Sequence, residues 1–416
     1  MSDQIVITGI GALTPVGNDR ESTWQSLLAG RSGVREITAF DASDSPTRIA
    51  AEVKDFDPAT VVQGKRLRRS ARFTQLAIAA AREAVADARL TLGDGPGEAA
   101  PDRVGVVINA AVAGFDTVER ATRQLVSGDG ARLNPYFVSS SLTNMPACEV
   151  AIDLGAHGPV TASALACASG IYALVEARRL ILSGEADVVL CGGTDAAITP
   201  VMFAGLASMG ALSKNNDDPT GASRPFDAER DGFVFGEGAV VVVLESAAHA
   251  ARRGARGYAA LLGGALTSDA FHVSAPEPQG AFASAAIAKA LDNAAIKPAQ
   301  IDYVCAHGTG TKANDRTETM AIRSVFGRSA EDVAISSPKS MVGHLIGAAG
   351  ALGAMVCALA IRDGIVPPTI NLRHPDPECD LDYVPNTARR LPVRVATTNA
   401  FGFGGQNCVA VFSAID

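Results

Sequence analysis

The chain has 416 residues, of which 47% are hydrophobic and 19% charged, and its formal net charge is -8. This composition indicates a folded globular protein and excludes a disordered one, and the length predicts two domains or an internal two-fold repeat. The negative charge argues against non-specific nucleic-acid binding, because neutralising phosphates requires a basic face.

The chain enters a predicted strand at residues 5–8, which leaves no room for a signal peptide. No segment approaches about 18 uninterrupted apolar residues, so we expect no membrane-spanning helix. The seven cysteines are odd in number and mostly stand in apolar runs, which predicts free thiols and no disulfide framework. None has the spacing of a zinc ligand set, so we expect no metal. These features predict a cytoplasmic protein.

Strand-like and helix-like segments alternate along the chain, which predicts an α/β fold. A helical stretch at 73–90 leads to a strand at 103–109, and a second helix at 282–296 leads to a strand at 301–307. Two helix–strand pairs in the same order indicate internal repetition.

The glycine-rich turns repeat as well. A Phe-x-Phe-Gly turn precedes a β-branched strand at 239–244 and again at 408–412. Both patterns are typical of a tight turn that feeds a buried strand. We therefore predict two copies of one βα unit, an N-terminal half of residues 1–255 and a C-terminal half of residues 256–416.

Cys167 follows a run of small residues and precedes an apolar stretch with helical spacing at 171–181. A thiol in the first turn of a buried helix meets the positive end of the helix dipole, which predicts a lowered pKa and a nucleophilic thiolate. A lone cysteine is more often a core residue. By the repeat, the helix after Cys167 corresponds to residues 347–363.

Three glycine-rich segments of the second half add chemistry to this thiol. His307 ends a predicted buried strand, and Lys339 and His344 follow a short strand at 333–336. The loop at 401–405 is rich enough in glycine to expose backbone N–H groups. A thiol, two imidazoles, a cation and an oxyanion hole suit acyl transfer or carbon–carbon bond formation. A Cys-His protease is the weaker interpretation, because it needs one histidine and an Asn or Asp.

Five motifs carry a resemblance to a known family: Ala-Cys167-Ala-Ser-Gly, Arg230-Asp-Gly-Phe-Val-Phe-Gly-Glu-Gly238, His307-Gly-Thr-Gly-Thr311, Lys339-Ser-Met-Val-Gly-His344 and Pro367-Pro-Thr-Ile-Asn-Leu372. Over essentially its full length the chain resembles the β-ketoacyl-acyl-carrier-protein synthases of the thiolase superfamily, and within them the elongating type II condensing enzymes. The resemblance implies a thiolase-like fold, with two pseudo-symmetric βα halves in a layered α-β-α-β-α core.

The resemblance also implies a mechanism. Cys167 attacks the thioester of an acyl carrier protein, and the backbone N–H groups of Cys167 and Phe401 form the oxyanion hole. His307 and His344, as neutral donors through Nε2, stabilise the enolate-like charge left when the malonyl group loses carbon dioxide. The carbanion attacks the acyl thioester and gives a β-ketoacyl chain two carbons longer. Phe401 gates the acyl pocket, and no cofactor is needed beyond the carrier's phosphopantetheine.

Other roles follow from the same resemblance. Lys339 is the cation beside the site and is expected to pair with Glu318, because a buried lysine is costly without a partner. Thr309 and Thr311 are expected to bind the pantetheine arm or the malonyl group. The remaining substrate-binding residues implied are Val112, Leu206 and Phe403.

The carrier protein is acidic, so an acidic enzyme needs a local basic patch to bind it. The candidates are Lys65, Arg66, Arg68, Arg69, Arg72 and Arg132. A solvated helix face is the alternative interpretation of these charges. The family implies a homodimer, and a heterodimer with a chain-length-factor-like subunit is the alternative.

Three positions depart from the family pattern. Leu165 stands where the family usually has Thr, which indicates a packing change beside the nucleophile. Val112 stands where relatives often carry a bulkier residue, which predicts a longer or bulkier acyl chain. Gly210 stands where elongating relatives carry an arginine at the tunnel mouth, which weakens the docking assignment and suggests a different carrier.

Two functions stay open at this point. The first is elongation in fatty acid biosynthesis, and the second is the ketosynthase subunit of a type II polyketide or polyene pathway. Residues 307–318 look nearer to aromatic polyketide ketosynthases, whereas Phe401 looks nearer to the fatty-acid class. Intact Cys167 argues against a non-catalytic chain-length factor. Cys408, inside a predicted strand, argues against a thiolase with a second reactive cysteine.

Overall fold

The computed structural model describes residues 4–95, 97–127 and 133–415. Its strands are β1 Ile5–Leu13, β2 Arg35–Glu36, β3 Ile49–Ala50, β4 Val104–Asn109, β5 Val160–Thr161, β6 Val188–Asp195, β7 Gly238–Ser246, β8 Ala259–Ser268, β9 Tyr303–Cys305, β10 Ala334–Ser336, β11 Ile365–Val366, β12 Arg389–Arg390, β13 Val395–Gly402 and β14 Gln406–Ser413. Its helices are α1 Arg20–Leu28, α2 Arg72–Ala88, α3 Phe115–Val126, α4 Phe137–Ser141, α5 Met145–Leu154, α6 Ser169–Leu182, α7 Pro200–Ser208, α8 Pro219–Ala222, α9 Ala247–Arg252, α10 Ala281–Ala294, α11 Lys312–Phe326, α12 Lys339–Val342 and α13 Ala349–Asp363.

A ten-stranded sheet runs through the molecule in the order β10-β9-β13-β14-β8-β1-β7-β6-β4-β5. At its centre β1 and β8 pair only through Val6 with Ala260 and Ile7 with Ala259. Outward from this seam, both sides show two antiparallel pairings and then two parallel ones. Because the two halves share one sheet, the boundary near residue 255 stays a prediction.

Helices lie on both faces of each half of the sheet. α6 and α13 pack against each other and against strands of both halves. α2 covers the outer side of β1 and β7, while α10 covers β8 and β14. The resulting order of layers is helix, sheet, helix, sheet, helix, so the predicted α/β architecture is confirmed.

α2 shows why these segments pack as they do. Its apolar positions Phe73, Leu76, Ala77, Ala80 and Ala84 recur at helical spacing and are buried, which gives one face toward the sheet. β7 carries an unbroken β-branched run that is buried on both faces, as a strand between two helical layers requires.

The two central helices meet through glycines. A Cβ at Gly170 of α6 would lie 2.5 Å from the backbone nitrogen of Ala351, and one at Gly350 of α13 would lie 2.6 Å from that of Ile171. Any larger side chain would push the helices apart. This contact brings together the 3₁₀ turns that precede α6 and α13, and so joins the two halves at one site.

One helical segment, Ile346–Asp363, is long and apolar enough to cross a membrane, with a mean hydropathy of 1.5. The sequence predicts no membrane-spanning helix. In the fold 83% of it is buried inside the protein, because it is the central helix between the two halves of the sheet. It is a core helix by position.

Candidate active site

Cys167 lies in the 3₁₀ turn Ala166–Ala168, immediately before α6. Ala166 has a φ of +46°, a left-handed conformation that tightens the turn. The side chain of Ser169 holds this turn, since its Oγ accepts from Leu165 N–H at 2.9 Å and donates to the Ala166 carbonyl at 2.7 Å. The thiol is buried, and its Sγ lies 3.0 Å from His344 Nε2.

The backbone fixes the tautomer of His344. Ile346 N–H donates to Nδ1 at 3.1 Å, so Nδ1 is the acceptor and the ring proton of the neutral imidazole is on Nε2. Nε2–H therefore points at the Cys167 sulfur. Burial and the positive charge of Lys339 hold the pKa of His344 well below its usual value, which keeps the ring neutral.

His307 lies beside this pair, just after the end of β9. The His307 and His344 ring centroids are 5.5 Å apart, and the His307 and Phe401 rings are 5.8 Å apart. Burial, Lys339 and the neighbouring imidazole hold the pKa of His307 well below its usual value. Cys167, both histidines and Phe401 are thus brought together, as expected.

The Glu318 carboxylate positions the His307 turn. It accepts from the backbone N–H groups of His307 at 2.8 Å and Gly308 at 2.7 Å, and from Asn399 Nδ2 at 3.1 Å. The expected salt bridge with Lys339 is wrong: no contact of 4 Å or less joins these two described side chains, because the carboxylate is already used by N–H donors. Lys339 acts on Glu318 through its charge at longer range.

The expected lowering of the Cys167 pKa is also wrong. Burial raises the pKa of the thiol to about 11, although the charge of Lys339 and nearby backbone N–H groups lower it. A helix terminus contributes about 2 kcal/mol at most, which is less than the cost of a buried thiolate. The resting residue is therefore a thiol.

This shift predicts how Cys167 reacts with iodoacetamide. The rate should rise with pH toward about 11 instead of levelling near 9.0, the ordinary value, because only the thiolate reacts. Lys339→Met should move the profile to higher pH, since the lysine charge favours the thiolate. Mass spectrometry of the modified peptide measures the rate, and a plateau below pH 9 would contradict the prediction.

A cavity of about 550 Å³ contains the cluster. Its lining includes every expected substrate-binding residue: Val112, Leu206, Thr309, Thr311 and Phe403. Phe233, Phe235 and Ile346 make its inner wall apolar, as an acyl chain would need. The hydroxyl groups of Thr309 and Thr311 form a hydrogen bond of 3.0 Å, and Thr311 is also the N-cap residue of α11.

One of the backbone N–H groups beside the Cys167 sulfur comes from Phe403. The backbone N–H groups that favour the Cys167 thiolate are those of Cys167 and Phe403. Phe401 is still inside β13, where it pairs with Asn407 of β14, whereas Phe403 follows the strand. The Phe403 N–H therefore lies next to the Cys167 sulfur, and the oxyanion hole expected from Cys167 and Phe401 stays a prediction.

The basic patch is smaller than predicted. Arg66 bonds to Glu149 and Asp153, and Arg72 makes a two-pronged contact with Glu237, so both serve internal packing. Arg69 covers the ring of Tyr136 at 4.2 Å. Lys65 and Arg68 are the exposed charges that remain, and Arg132 lies outside the described residues.

The structure explains two of the three positions that depart from the family pattern. Gly210 has a φ of +71° and closes the C-terminus of α7, with its N–H donating to the Ala207 carbonyl. An arginine would be strained in this conformation. Leu165 packs its side chain against the core, which fits the apolar residue found there.

Asp195 is a site residue that the sequence interpretation missed. It ends β6, is fully buried, and accepts from the backbone N–H groups of Ala111, Val112, Ala113 and Gly347. Its position could have pointed to a functional role, because Asp195 is a carboxylate at the carboxyl end of a buried strand, where α/β folds place their sites.

The thiol and the two imidazoles are also close enough to bridge a metal ion. Their donor atoms lie within 4.8 Å of one another. The charge of Lys339 lowers the pKa of both histidines and so opposes a second cation in the same place. The expectation of a metal-free site stays a prediction.

Family models match most of the chain. Residues 2–250 match the beta-ketoacyl synthase N-terminal domain, and residues 258–373 match the beta-ketoacyl synthase C-terminal domain. The chain belongs to the β-ketoacyl synthase family. The resemblance read from the motifs is therefore confirmed, and this β-ketoacyl synthase is a condensing enzyme of the acyltransferase class.

Curated relatives match the β-ketoacyl synthase over nearly its full length. A protein of Synechocystis sp. named 3-oxoacyl-acyl-carrier-protein synthase 2 is 46% identical, covering 98% of this chain and 97% of the relative. A protein of the same name from Coxiella burnetii is 43% identical over 99% of both chains. These relatives support the fatty-acid reading of the sequence.

Solved structures match it with similar completeness. A β-ketoacyl synthase from Burkholderia phymatum has a TM-score of 0.92 at 32% identity. A chain of the ishigamide ketosynthase/chain length factor has a TM-score of 0.91 at 38% identity. A chain from a type II PKS acyl-carrier protein in complex with its ketosynthase has a TM-score of 0.91 at 33% identity. All three matches cover 100% of both chains.

Proposed function

We propose that this β-ketoacyl synthase condenses an acyl chain held on Cys167 with malonyl carried by an acyl carrier protein, in fatty acid biosynthesis. The observation that carries the proposal is the contact between His344 Nε2 and Cys167 Sγ at 3.0 Å, inside a cavity with an apolar wall. The curated relatives are named for this activity.

In the first half-reaction Cys167 attacks the acyl thioester of the carrier. The sulfur–carbonyl bond forms, the bond to pantetheine breaks, and the proton of Cys167 ends on the released carrier thiol. The backbone N–H groups of Cys167 and Phe403, which favour the thiolate, are the donors that we propose for the tetrahedral oxyanion. His344 Nε2–H and the charge of Lys339 stabilise the sulfur as it loses its proton.

In the second half-reaction the malonyl carrier enters. Its carboxylate leaves as carbon dioxide, and the electron pair becomes an enolate whose oxygen faces His307 and His344. Each neutral imidazole carries one ring N–H, which can donate a hydrogen bond to that oxygen. The carbanion then attacks the acyl carbonyl, and the Cys167 thiolate leaves and regains a proton.

Incubation with acyl carrier protein and malonyl carrier protein tests the proposal. Intact-mass detection should show an acyl adduct on the enzyme, followed by a β-ketoacyl carrier two carbons longer. Activity restored only by a chain-length-factor-like partner would favour a type II polyketide or polyene ketosynthase. The structural similarity to chains of such assemblies makes this the second candidate.

Carrier docking through the remaining basic patch is a further part of the proposal. Lys65→Glu combined with Arg68→Glu should raise the KM for the acyl carrier about ten-fold and change kcat little, because exposed charges steer association. Lys289→Glu, an exposed lysine on the outer helix α10, is the matched control. Steady-state kinetics at low and high salt measure the effect, and equal KM values in both variants would contradict it.

Val112 is proposed to set acyl-chain length. Val112→Phe should shift the products toward shorter chains, because the larger ring takes up part of the cavity. Leu206→Met, a change that conserves volume in the same wall, serves as the control. Mass analysis of the β-ketoacyl carriers measures product length, and an unchanged profile would refute the role of Val112.

We propose a homodimer formed through β5, which is the last strand of the sheet and pairs on one side only. Large apolar residues are exposed beside it: Val138, Leu142, Ile152 and Val160. An unpaired strand edge with an apolar surround is typical of a protein interface. Sedimentation equilibrium tests this assembly.

The seven free cysteines fit the expected reducing compartment, the cytoplasm.

A further inference from the structure

We propose that Asp195 is a positioning residue that ties the wall of the acyl pocket to the turn of His344. The inference rests on the proposed function, since it gives Asp195 a part in the chemistry of Cys167. Asp195 is fully buried, and within the described residues no salt bridge compensates its charge. Its partners are instead backbone N–H groups from two distant segments.

The carboxylate accepts four hydrogen bonds. Oδ1 accepts from Val112 N–H at 3.0 Å and Ala113 N–H at 3.1 Å. Oδ2 accepts from Ala111 N–H at 3.0 Å and Gly347 N–H at 2.8 Å. Burial raises the pKa of Asp195 to about 6, and the four N–H bonds act against this shift because they favour the ionised form.

The bond from Gly347 leads directly to the nucleophile. Ile346, the preceding residue, has a φ of +50°, which is strained for a β-branched side chain and needs support from its surroundings. This conformation aims Ile346 N–H at His344 Nδ1, and that bond places the proton on Nε2, 3.0 Å from Cys167 Sγ. Asp195 therefore supports the His344 tautomer through the Ile346–Gly347 backbone.

The same carboxylate holds the pocket. Ala111, Val112 and Ile346 all line the acyl cavity, so both segments bound to Asp195 touch the space for the acyl chain. Because one carboxylate binds both segments, a displacement of the Val112 backbone would also displace the carboxylate that holds the His344 turn.

Two variants break the bond from opposite sides. Asp195→Asn replaces one carboxylate oxygen by an NH₂ group, which faces the two backbone N–H groups that this oxygen bound. Two donors cannot form a hydrogen bond with each other. In Gly347→Ala the added Cβ would lie 2.6 Å from Asp195 Oδ2, which displaces the carboxylate. Thr194→Val is the matched control, because Thr194 is equally buried in β6 but donates to the Phe73 carbonyl, away from the site.

The test measures alkylation of Cys167 by iodoacetamide at fixed pH, which needs no carrier protein. Gly347→Ala keeps the Asp195 charge and should slow alkylation about ten-fold, since a hydrogen bond to a charged group is lost. Asp195→Asn also removes a negative charge that raises the Cys167 pKa, so its alkylation should slow less. The double variant should be no slower than the slower single variant, because both act on one bond. Thr194→Val should alkylate at the unmodified rate, and the imidazole nitrogen shifts of His344 should show mixed tautomers only in the Asp195 and Gly347 variants.

An unchanged rate in Gly347→Ala, a single His344 tautomer in Asp195→Asn, or multiplied losses in the double variant would overturn the proposal. If Asp195→Asn does not fold, Gly347→Ala alone decides, and an unchanged rate in that variant overturns the proposal. Failure of the wild-type enzyme to take an acyl group from a carrier would refute the proposed function while leaving the alkylation comparison valid.

Discussion

Cys167→Ala should abolish both the acyl-enzyme adduct and the condensation, with a loss on the order of 10⁴-fold or more. Without the Cys167 thiol no covalent acyl-enzyme can form, and removing a catalytic nucleophile lowers kcat by a factor of this order. His344 and the two backbone N–H groups remain, but they have no sulfur to act on. Intact-mass detection of the adduct and product assays with acyl and malonyl carriers measure the result.

Cys148→Ala is the matched control for this variant. Cys148 is the half-buried cysteine, whereas the other six, including Cys167, are buried. It lies outside the cavity, so its removal should leave the adduct and the turnover unchanged. An adduct that survives Cys167→Ala on another residue would contradict the assignment of the nucleophile.

His307→Ala and His344→Ala should separate the two half-reactions. His344 contacts the sulfur, so its loss should slow both acylation and condensation. His307 lies beside His344 and Phe401, so its loss should spare acylation and reduce condensation by about 10²–10⁴-fold. Burial and the charge of Lys339 keep both rings neutral near pH 7, so each has one ring N–H to donate.

Single-turnover acylation followed by mass, and carbon dioxide release from the malonyl carrier, distinguish the two steps. His157→Ala, an exposed histidine on the loop before β5, should affect neither. Equal losses of acylation in both variants would show that the histidines act as one unit. Unchanged carbon dioxide release in both histidine variants would show that neither histidine acts in the decarboxylation step.

Much of the fold followed from residue pattern. The α/β class, the repeated units and the gathering of Cys167, His307 and His344 all rest on features that short-range sequence encodes: buried β-branched strands, helical periodicity and glycine turns at strand ends. Reactive groups in such turns converge at the carboxyl ends of the strands. The motifs identify the family without any tertiary contact.

The electrostatics could not be read in the same way. The helix start at Cys167 predicted a lowered pKa, yet burial raises it to about 11. Charge alone suggested that Arg66 and Arg72 are free for a partner, yet both are held by carboxylates from distant segments. Desolvation and pairing depend on what surrounds a group, and nothing in its local sequence specifies that environment.

The sequence by itself determined the chemical groups, their family and the layered fold, because those depend on residue type and periodicity. Only the tertiary structure decided which N–H groups and carboxylates support them. It placed the Phe403 N–H beside the Cys167 sulfur, directed the Glu318 carboxylate to the His307 turn, and placed Asp195 between the acyl pocket and His344. These contacts join residues far apart in the chain, so they exist only once the two halves pack through α6 and α13.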